Sequence, residues 1–201
     1  MRKTRGFTIA EVLIYCSLLS MILYAVYGVA IAIFHYQRIA EARTGVQLNA
    51  IGALNSLSHD IEESRSAYIT RETVYPFALL MPSPRDMNGN FQYDSTGLPL
   101  WQTYVAYYVD ITQSPKVLVR AVQPIQTVSN TPPAALPRYN GTTFMSPNVS
   151  HRSVGVGVTA FNAVEMVSNT PFWQVSLSFR QDEYQQDNTF SITTSIFAVN
   201  N

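Results

Sequence analysis

The chain has 201 residues, in which 13 Lys and Arg balance 13 Asp and Glu, and it carries one cysteine. A lone cysteine excludes an intrachain disulfide, and from Arg71 onward seven basic residues stand against eight acidic ones, so no phosphate-tracking surface of clustered Lys and Arg is expected. Direct nucleic-acid binding is therefore not predicted.

The first informative segment joins a short basic leader to a long apolar run. Arg2, Lys3 and Arg5 precede Gly6, and from Phe7 to Phe34 the only charged side chain is Glu11. As a helix at about 1.5 Å per residue this run is roughly 42 Å long, more than the roughly 30 Å of a bilayer core. It lacks the short apolar region and small-residue cleavage site of a secretory signal, so it reads as a retained single-pass anchor. The basic leader predicts a cytoplasmic N-terminus with everything after Phe34 carried across the membrane.

An acid this close to the start of a membrane helix calls for a partner. Reaching headgroup water or being protonated would satisfy it blandly. Cleavage between Gly6 and Phe7 would remove the leader and create an α-amine one helical turn from Glu11, and the amine of a neighbouring copy could then pair with it. Gly6, Phe7 and Glu11, with the basic leader and apolar helix, resemble the class III prepilin signal of type IV pilins and type II secretion pseudopilins. The resemblance implies cleavage after Gly6 by a prepilin peptidase, N-methylation of Phe7, and a role for Glu11 in assembly. It also implies other major and minor pilins or pseudopilins, an inner-membrane assembly platform and membrane lipid as partners.

After Phe34 the pattern becomes amphipathic. Ile39, Ala42, Val46, Ala50, Leu54, Leu57 and Ile61 recur every three or four residues and mark one helical face, while His59, Asp60, Glu62 and Glu63 are among those assigned to the solvated remainder. With no proline before Pro76, one helix is predicted from Phe7 to about Tyr68. Gly28, Gly45 and Gly52 are either points of bending or points of close packing.

From Thr73 onward, β-branched and aromatic runs predict strands at Val74–Met81, Thr103–Val109, Val117–Val122, Val154–Phe161, Trp173–Arg180 and Phe190–Val199. The second and third form a hairpin through Gln113-Ser114-Pro115, and the last two form another around Asp182 to Asn188. Helix first and strands after gives an α+β fold, a long N-terminal helix with a membrane half and an amphipathic half packed on an antiparallel β-sheet domain. Pro-rich Val122 to Arg152 is the predicted long loop. The long helix ending near His59 to Glu62, the Tyr104–Arg120 hairpin and the late strands resemble J-type minor pseudopilins and W-type minor pilins. That resemblance implies a subunit that initiates a filament and disfavours the K-type tip position. The predicted organisation is a prepilin leader at 1–6, a transmembrane or filament-core helix at 7–34, its amphipathic continuation at 35–70 and an extracytoplasmic β-rich domain at 71–201.

Candidate sites outside the N-terminus are sparse. Asp86, Asn88, Asn90 and Asp94 place oxygen side chains around Gly89, a pattern suited to Ca²⁺, yet the terminal Glu of an EF-hand loop is missing and the same residue types build ordinary turns. No other cofactor is expected. His35, His59 and His151 are scattered in sequence and Cys16 lies within the apolar run, so no catalytic set is predicted. His59 and Asp60 are adjacent on a helix and point about 100° apart, which favours a solvated face over an acid-base pair. Tyr36, Tyr104, Tyr107, Tyr108, Phe172 and Trp173 are assigned mainly to core and secondarily to a recognition patch. Two functional classes remain: a non-enzymatic filament subunit, and a membrane-anchored enzyme or ligand-binding domain that keeps its N-terminus and never polymerises.

Overall fold

A computed structural model describes residues 8–72, 77–133, 149–166, 171–183 and 186–198. The chain is α+β; the described residues form helix α1 (Ile9–Glu63), a short 3₁₀ turn at Ser66–Tyr68 and eight strands in two antiparallel sheets. It forms two compact units, Met1–Arg43 and Thr44–Asn201. Helix residues from Thr44 onward thus belong with the sheets.

In the first unit α1 exposes its large apolar side chains, among them Leu13, Ile14, Leu18, Ile22, Ile33 and Phe34. Consecutive residues such as Val12, Leu13, Ile14 and Tyr15 are all exposed, so the apolar surface runs round the helix. Its length and composition suffice for one membrane crossing.

In the second unit the amphipathic face docks as its spacing predicts. Val46, Ala50, Ala53, Leu57 and Ile61 are buried in one core with Leu79, Met81, Val105, Tyr107 and Leu118 from one sheet and Phe161, Val175, Leu177 and Phe179 from the other. Ala53 is fully buried as well, while the predicted Leu54 is half-buried and packs against the same core. The helix ends five residues before the predicted Tyr68. There Ser64 N–H bonds back to the Ile61 carbonyl at 3.1 Å, tightening the last turn, and its hydroxyl donates to the Pro82 carbonyl at 3.0 Å. α1 is continuous through Gly28, Gly45 and Gly52, and a β-carbon at any of them would meet nothing within 4 Å in the chain.

The first sheet runs β1 (Thr70–Glu72), β2 (Ala78–Ser83), β3 (Trp101–Asp110), β4 (Val117–Ser129) and β5 (Ser150–Val156), each strand beside the next. The second holds β6 (Val158–Glu165), β7 (Phe172–Glu183) and β8 (Gln186–Phe197). Both predicted hairpins form, β3 with β4 and β7 with β8. In β2 and β3, Leu79, Met81, Val105 and Tyr107 enter the helix core while Ala78, Leu80, Ala106 and Tyr108 enter a second cluster. Burial on both faces explains why these strands read as continuous apolar runs.

Most strand bounds shift by a few residues and β1 has no predicted counterpart; two changes are larger. The single strand Val154–Phe161 is two strands in different sheets, β5 and β6, with Gly157 between them at φ 82°. Gly157 accepts a hydrogen bond from Arg180 N–H at 2.7 Å and donates to the Lys116 carbonyl at 2.8 Å, so this corner links both sheets. A β-carbon here would lie 2.6 Å from the Arg180 carbonyl oxygen, and only glycine fits. The predicted loop from Val122 also begins later, because β4 continues to Ser129. Its pairing with β5 stops at Val122, so Pro124 lies beyond that ladder, where a missing N–H is tolerated. Residues 134–148 of the predicted loop lie outside the described residues.

Candidate functional site

Gly6 and Phe7 lie outside the described residues; Glu11 is in the first turn of α1. Its Oε2 accepts hydrogen bonds from the Thr8 backbone N–H at 2.9 Å and the Thr8 hydroxyl at 3.0 Å, while Glu11 N–H donates back to Thr8 Oγ1 at 3.3 Å. This reciprocal arrangement is a capping box, and Thr8-Ile9-Ala10-Glu11 carries its T-x-x-E signature. Glu11 therefore has a local partner within its own chain. The spacing was present in the sequence; reading Glu11 only as a membrane acid passed over it.

A buried charged site joins α1 to the first sheet, and it corrects the placement of Asp60 on a solvated face. Asp60 is 4 % exposed. Its carboxylate receives Arg120 Nε on Oδ2 at 2.6 Å and Nη2 on Oδ1 at 2.9 Å, and the Tyr107 hydroxyl donates to Oδ2. Ser56, one turn earlier on α1, lies 3.0 Å from the same hydroxyl. The register aligns the two sheet residues, since Tyr107 in β3 pairs directly with Arg120 in β4. Burial and the adjacent Asp60 charge hold the Tyr107 hydroxyl well above its ordinary pKa. Burial also disfavours the Arg120 charge, but the forked bond to Asp60 outweighs it and raises the Arg120 pKa. Two signals pointed here: Arg120 is the single charge in the apolar run Val117 to Val122, and Asp60 adjoins core residue Ile61.

A second acid–arginine pair lies at the end of α1, whose last turn carries no basic residue to offset the helix dipole. Glu63 receives Arg85 Nε on Oε2 at 2.7 Å and Arg85 Nη2 on Oε1, with His59 Nε2 2.9 Å from Oε1. Arg85 Nη1 donates to the Gly89 carbonyl at 2.7 Å, and its guanidinium lies 4.2 Å over the Phe91 ring centroid. The hydrogen bond to Glu63 raises the Arg85 pKa. His59 thus belongs with Glu63 and Arg85.

Asp86, Asn88 and Asn90 share one turn, and Asp94 begins the next. Asp86 Oδ1 accepts the Asn88 and Asn90 backbone N–H groups, each at 2.8 Å, about Gly89 at φ 85°. Asp94 Oδ1 accepts the Thr96 and Leu98 N–H groups at 2.8 and 2.9 Å about Gly97 at φ 82°, while Asn130 Nδ2 donates to Oδ2 at 2.8 Å. Hydrogen bonds to the charged form lower both carboxyl pKa values, led by Asn90 for Asp86 and Thr96 for Asp94. Donors of the two turns and of Asn130 thus already engage the Asp86 and Asp94 carboxylates. Among the described residues no group of three or more His, Cys, Asp or Glu could hold a metal. Of the aromatic set, Tyr107, Tyr108 and Trp173 are core, Tyr104 is half-buried, and Tyr36 and Phe172 are exposed.

Comparison of the chain with protein-family models, curated proteins and solved structures gives no match. The helix-and-sheet architecture is compatible with a pilin-like fold.

Proposed function

We propose that this chain is a minor pilin or pseudopilin, a non-enzymatic subunit that is cleaved after Gly6, methylated on Phe7 and acts at initiation of a type IV pilus-like or type II secretion filament. The observation that carries this reading is the division of α1. One half is an exposed apolar helix with a single acid at its start, and the other is fixed into a β-rich domain. The exposed half suits lipid before assembly and neighbouring helices after it. Arg2, Lys3 and Arg5 support a cytoplasmic N-terminus and an extracytoplasmic domain. The Thr8–Glu11 capping box gives Glu11 a partner until the amine of a neighbouring copy replaces it.

Intact-mass and N-terminal analysis of protein purified from membranes containing a prepilin peptidase tests the proposal. The expected product begins at N-methylated Phe7. A chain still beginning at Met1 or Arg2 overturns it and favours the non-polymerising anchor.

A further inference from the structure

Among the described residues the two sheets end in the edge strands β1 and β5, and β6 and β8. All but β8 are blunted. β1 is 3 residues long, β5 carries His151 and Arg152 and meets a register shift against β4, and β6 has a register shift against β7 and ends on Glu165. Short length, charge and bulges are the devices by which sheets keep an edge from pairing. β8 runs for 12 residues, keeps an unbroken register with β7, and holds no charged residue and no proline from Thr189 to Phe197.

The hydrogen bonds show which backbone groups this edge presents. Ala198 N–H donates to the Pro171 carbonyl at 2.7 Å, and bonded pairs alternate along an antiparallel ladder, so Ile196, Thr194, Ile192 and Phe190 are the residues bonded to β7. Arg180, opposite Thr189, fixes the same phase by donating its N–H away from β8, to the Gly157 carbonyl at 2.7 Å. Thr189, Ser191, Thr193, Ser195 and Phe197 therefore turn their N–H and C=O groups to the open side, where no described strand pairs with them. The side chains of Ser191, Thr193 and Ser195 are exposed, and the row ends in an edge-to-face contact of Phe197 with Phe172 at 5.2 Å, both rings about half exposed. On the inner face Phe190 and Ile192 pack on the helix core and stay only partly buried.

We propose that β8 accepts an extended segment of a different protein as a further strand, continuing the antiparallel order of its sheet along Thr189 to Phe197. The open row of donors and acceptors selects a strand, and the side chains on either face select its pattern. Partner residues on the helix side are apolar and cover Phe190 and Ile192, while those on the outer side are Ser or Thr beside Ser191, Thr193 and Ser195, with an apolar residue beside Phe197. The β8 of a second copy has this pattern, but antiparallel pairing with it requires a two-fold axis normal to the sheet. That axis reverses every direction in the sheet plane, including that of the α1 stripe packed on the sheet, so two copies anchored through α1 in one membrane cannot form it. The partner is thus another chain. Strand addition at β8 needs neither cleavage after Gly6 nor entry into a filament.

The test uses the full-length ¹⁵N-labelled protein in detergent micelles, with amide hydrogen exchange read residue by residue. The probe is a synthetic peptide of the sequence Thr189 to Phe197 between lysine pairs, which has the required alternation and, lacking an anchor, is not barred by the two-fold geometry. Peptide at roughly 1 mM or below is expected to slow exchange at the Ser191, Thr193 and Ser195 amides about 5- to 10-fold and to leave Ile192 and Thr194, already bonded to β7, unchanged. The same peptide N-methylated at its Ser191, Thr193 and Ser195 positions gives no slowing. Thr193→Pro deletes a donor that β7 does not use, so it keeps the domain melt and abolishes the protection; the N-methylated peptide keeps the test decisive if this variant fails to fold. No slowing with the unmethylated peptide, equal slowing of both sets of amides, or equal effects of the two peptides overturns the proposal. So does slowing of the three amides without peptide as protein concentration rises, which would make a second copy the occupant.

Discussion

From Ile9 to Phe34, α1 carries exposed large apolar side chains around its circumference, whereas from Val46 to Ile61 it buries a single stripe every three or four residues. The backbone is one helix throughout, so the side-chain pattern alone decides which surroundings each half requires. The second half brings its own apolar partners in β2–β4 and β6–β8, together with an arginine for each of two acids near its end. Among the described residues the first half shows no such partners, and its apolar surface suits lipid or other helices. Substitutions in the two halves should therefore separate cleanly between assembly and domain stability.

The largest expected effect is at Asp60. Asp60→Ala leaves the Arg120 guanidinium and the buried Tyr107 hydroxyl without their acceptor. It should lower the unfolding free energy of the Thr44–Asn201 unit by about 3–5 kcal/mol. Chemical denaturation of the full chain in detergent measures this, with exposed Leu18→Ala as the matched change in the other half and no shift expected there. Equal effects from the two variants would erase the contrast.

Gly157→Ala comes next, at about 1–3 kcal/mol, because it forces an L-residue to positive φ and drives its β-carbon against the Arg180 carbonyl. A melting temperature matching wild type would show that the corner between the sheets is not fixed as drawn. Hairpins β3–β4 and β7–β8 and the docked stripe were legible in the sequence because their signals are local: alternation, turn residues and a helical repeat. The corner was not, since Val154 to Phe161 keeps a strand-like composition straight through it, and only Gly155 and Gly157 interrupt the run. Asp60 was misplaced for a related reason. Its partners lie 47 and 60 residues away, and adjacency to other charged helix residues outweighed the lone Arg120 in an apolar strand.

Glu11→Ala sharpens the same comparison from the membrane half. It removes the capping box with Thr8, a loss confined to the first helical turn. The domain melt should stay unchanged and membrane insertion should be preserved, while the amount in sheared filament fractions falls. Wild-type levels in those fractions would remove Glu11 from assembly. A priming role predicts fewer filaments of normal length.

A smaller effect should appear in alkali. Burial raises the pKa of Tyr107 first of all, and also those of Tyr104 and Tyr108. A raised folded-state value means the unfolded chain loses its proton first. This contribution to stability is complete below the ordinary tyrosine value of about 10 and is lost as pH rises through the folded-state values. Melting temperature should fall above about pH 10, and Tyr108→Phe, which removes one buried hydroxyl, should make the decline shallower. A decline of identical steepness in the variant would take Tyr108 out of the linkage.

The smallest expected effect is that of calcium. A site with a Kd of about 0.1 mM would stabilise the domain by roughly 2.7 kcal/mol at about 10 mM Ca²⁺, a plainly visible rise in melting temperature. Asp86 and Asp94 sit in separate turns, and the oxygens of each already accept hydrogen bonds from N–H groups of their own turns or from Asn130. A cation would have to displace donors that the loop supplies at no further cost in ordering. The expected result is no change on adding calcium or on chelation, with a loss on Asp94→Ala that calcium does not modify. A calcium-dependent rise abolished by Asp94→Ala would instead make these turns a ligand site. The helix end beside them would then depend on an outside partner, as the membrane half of α1 does, and the self-sufficiency that separates the two halves would be lost.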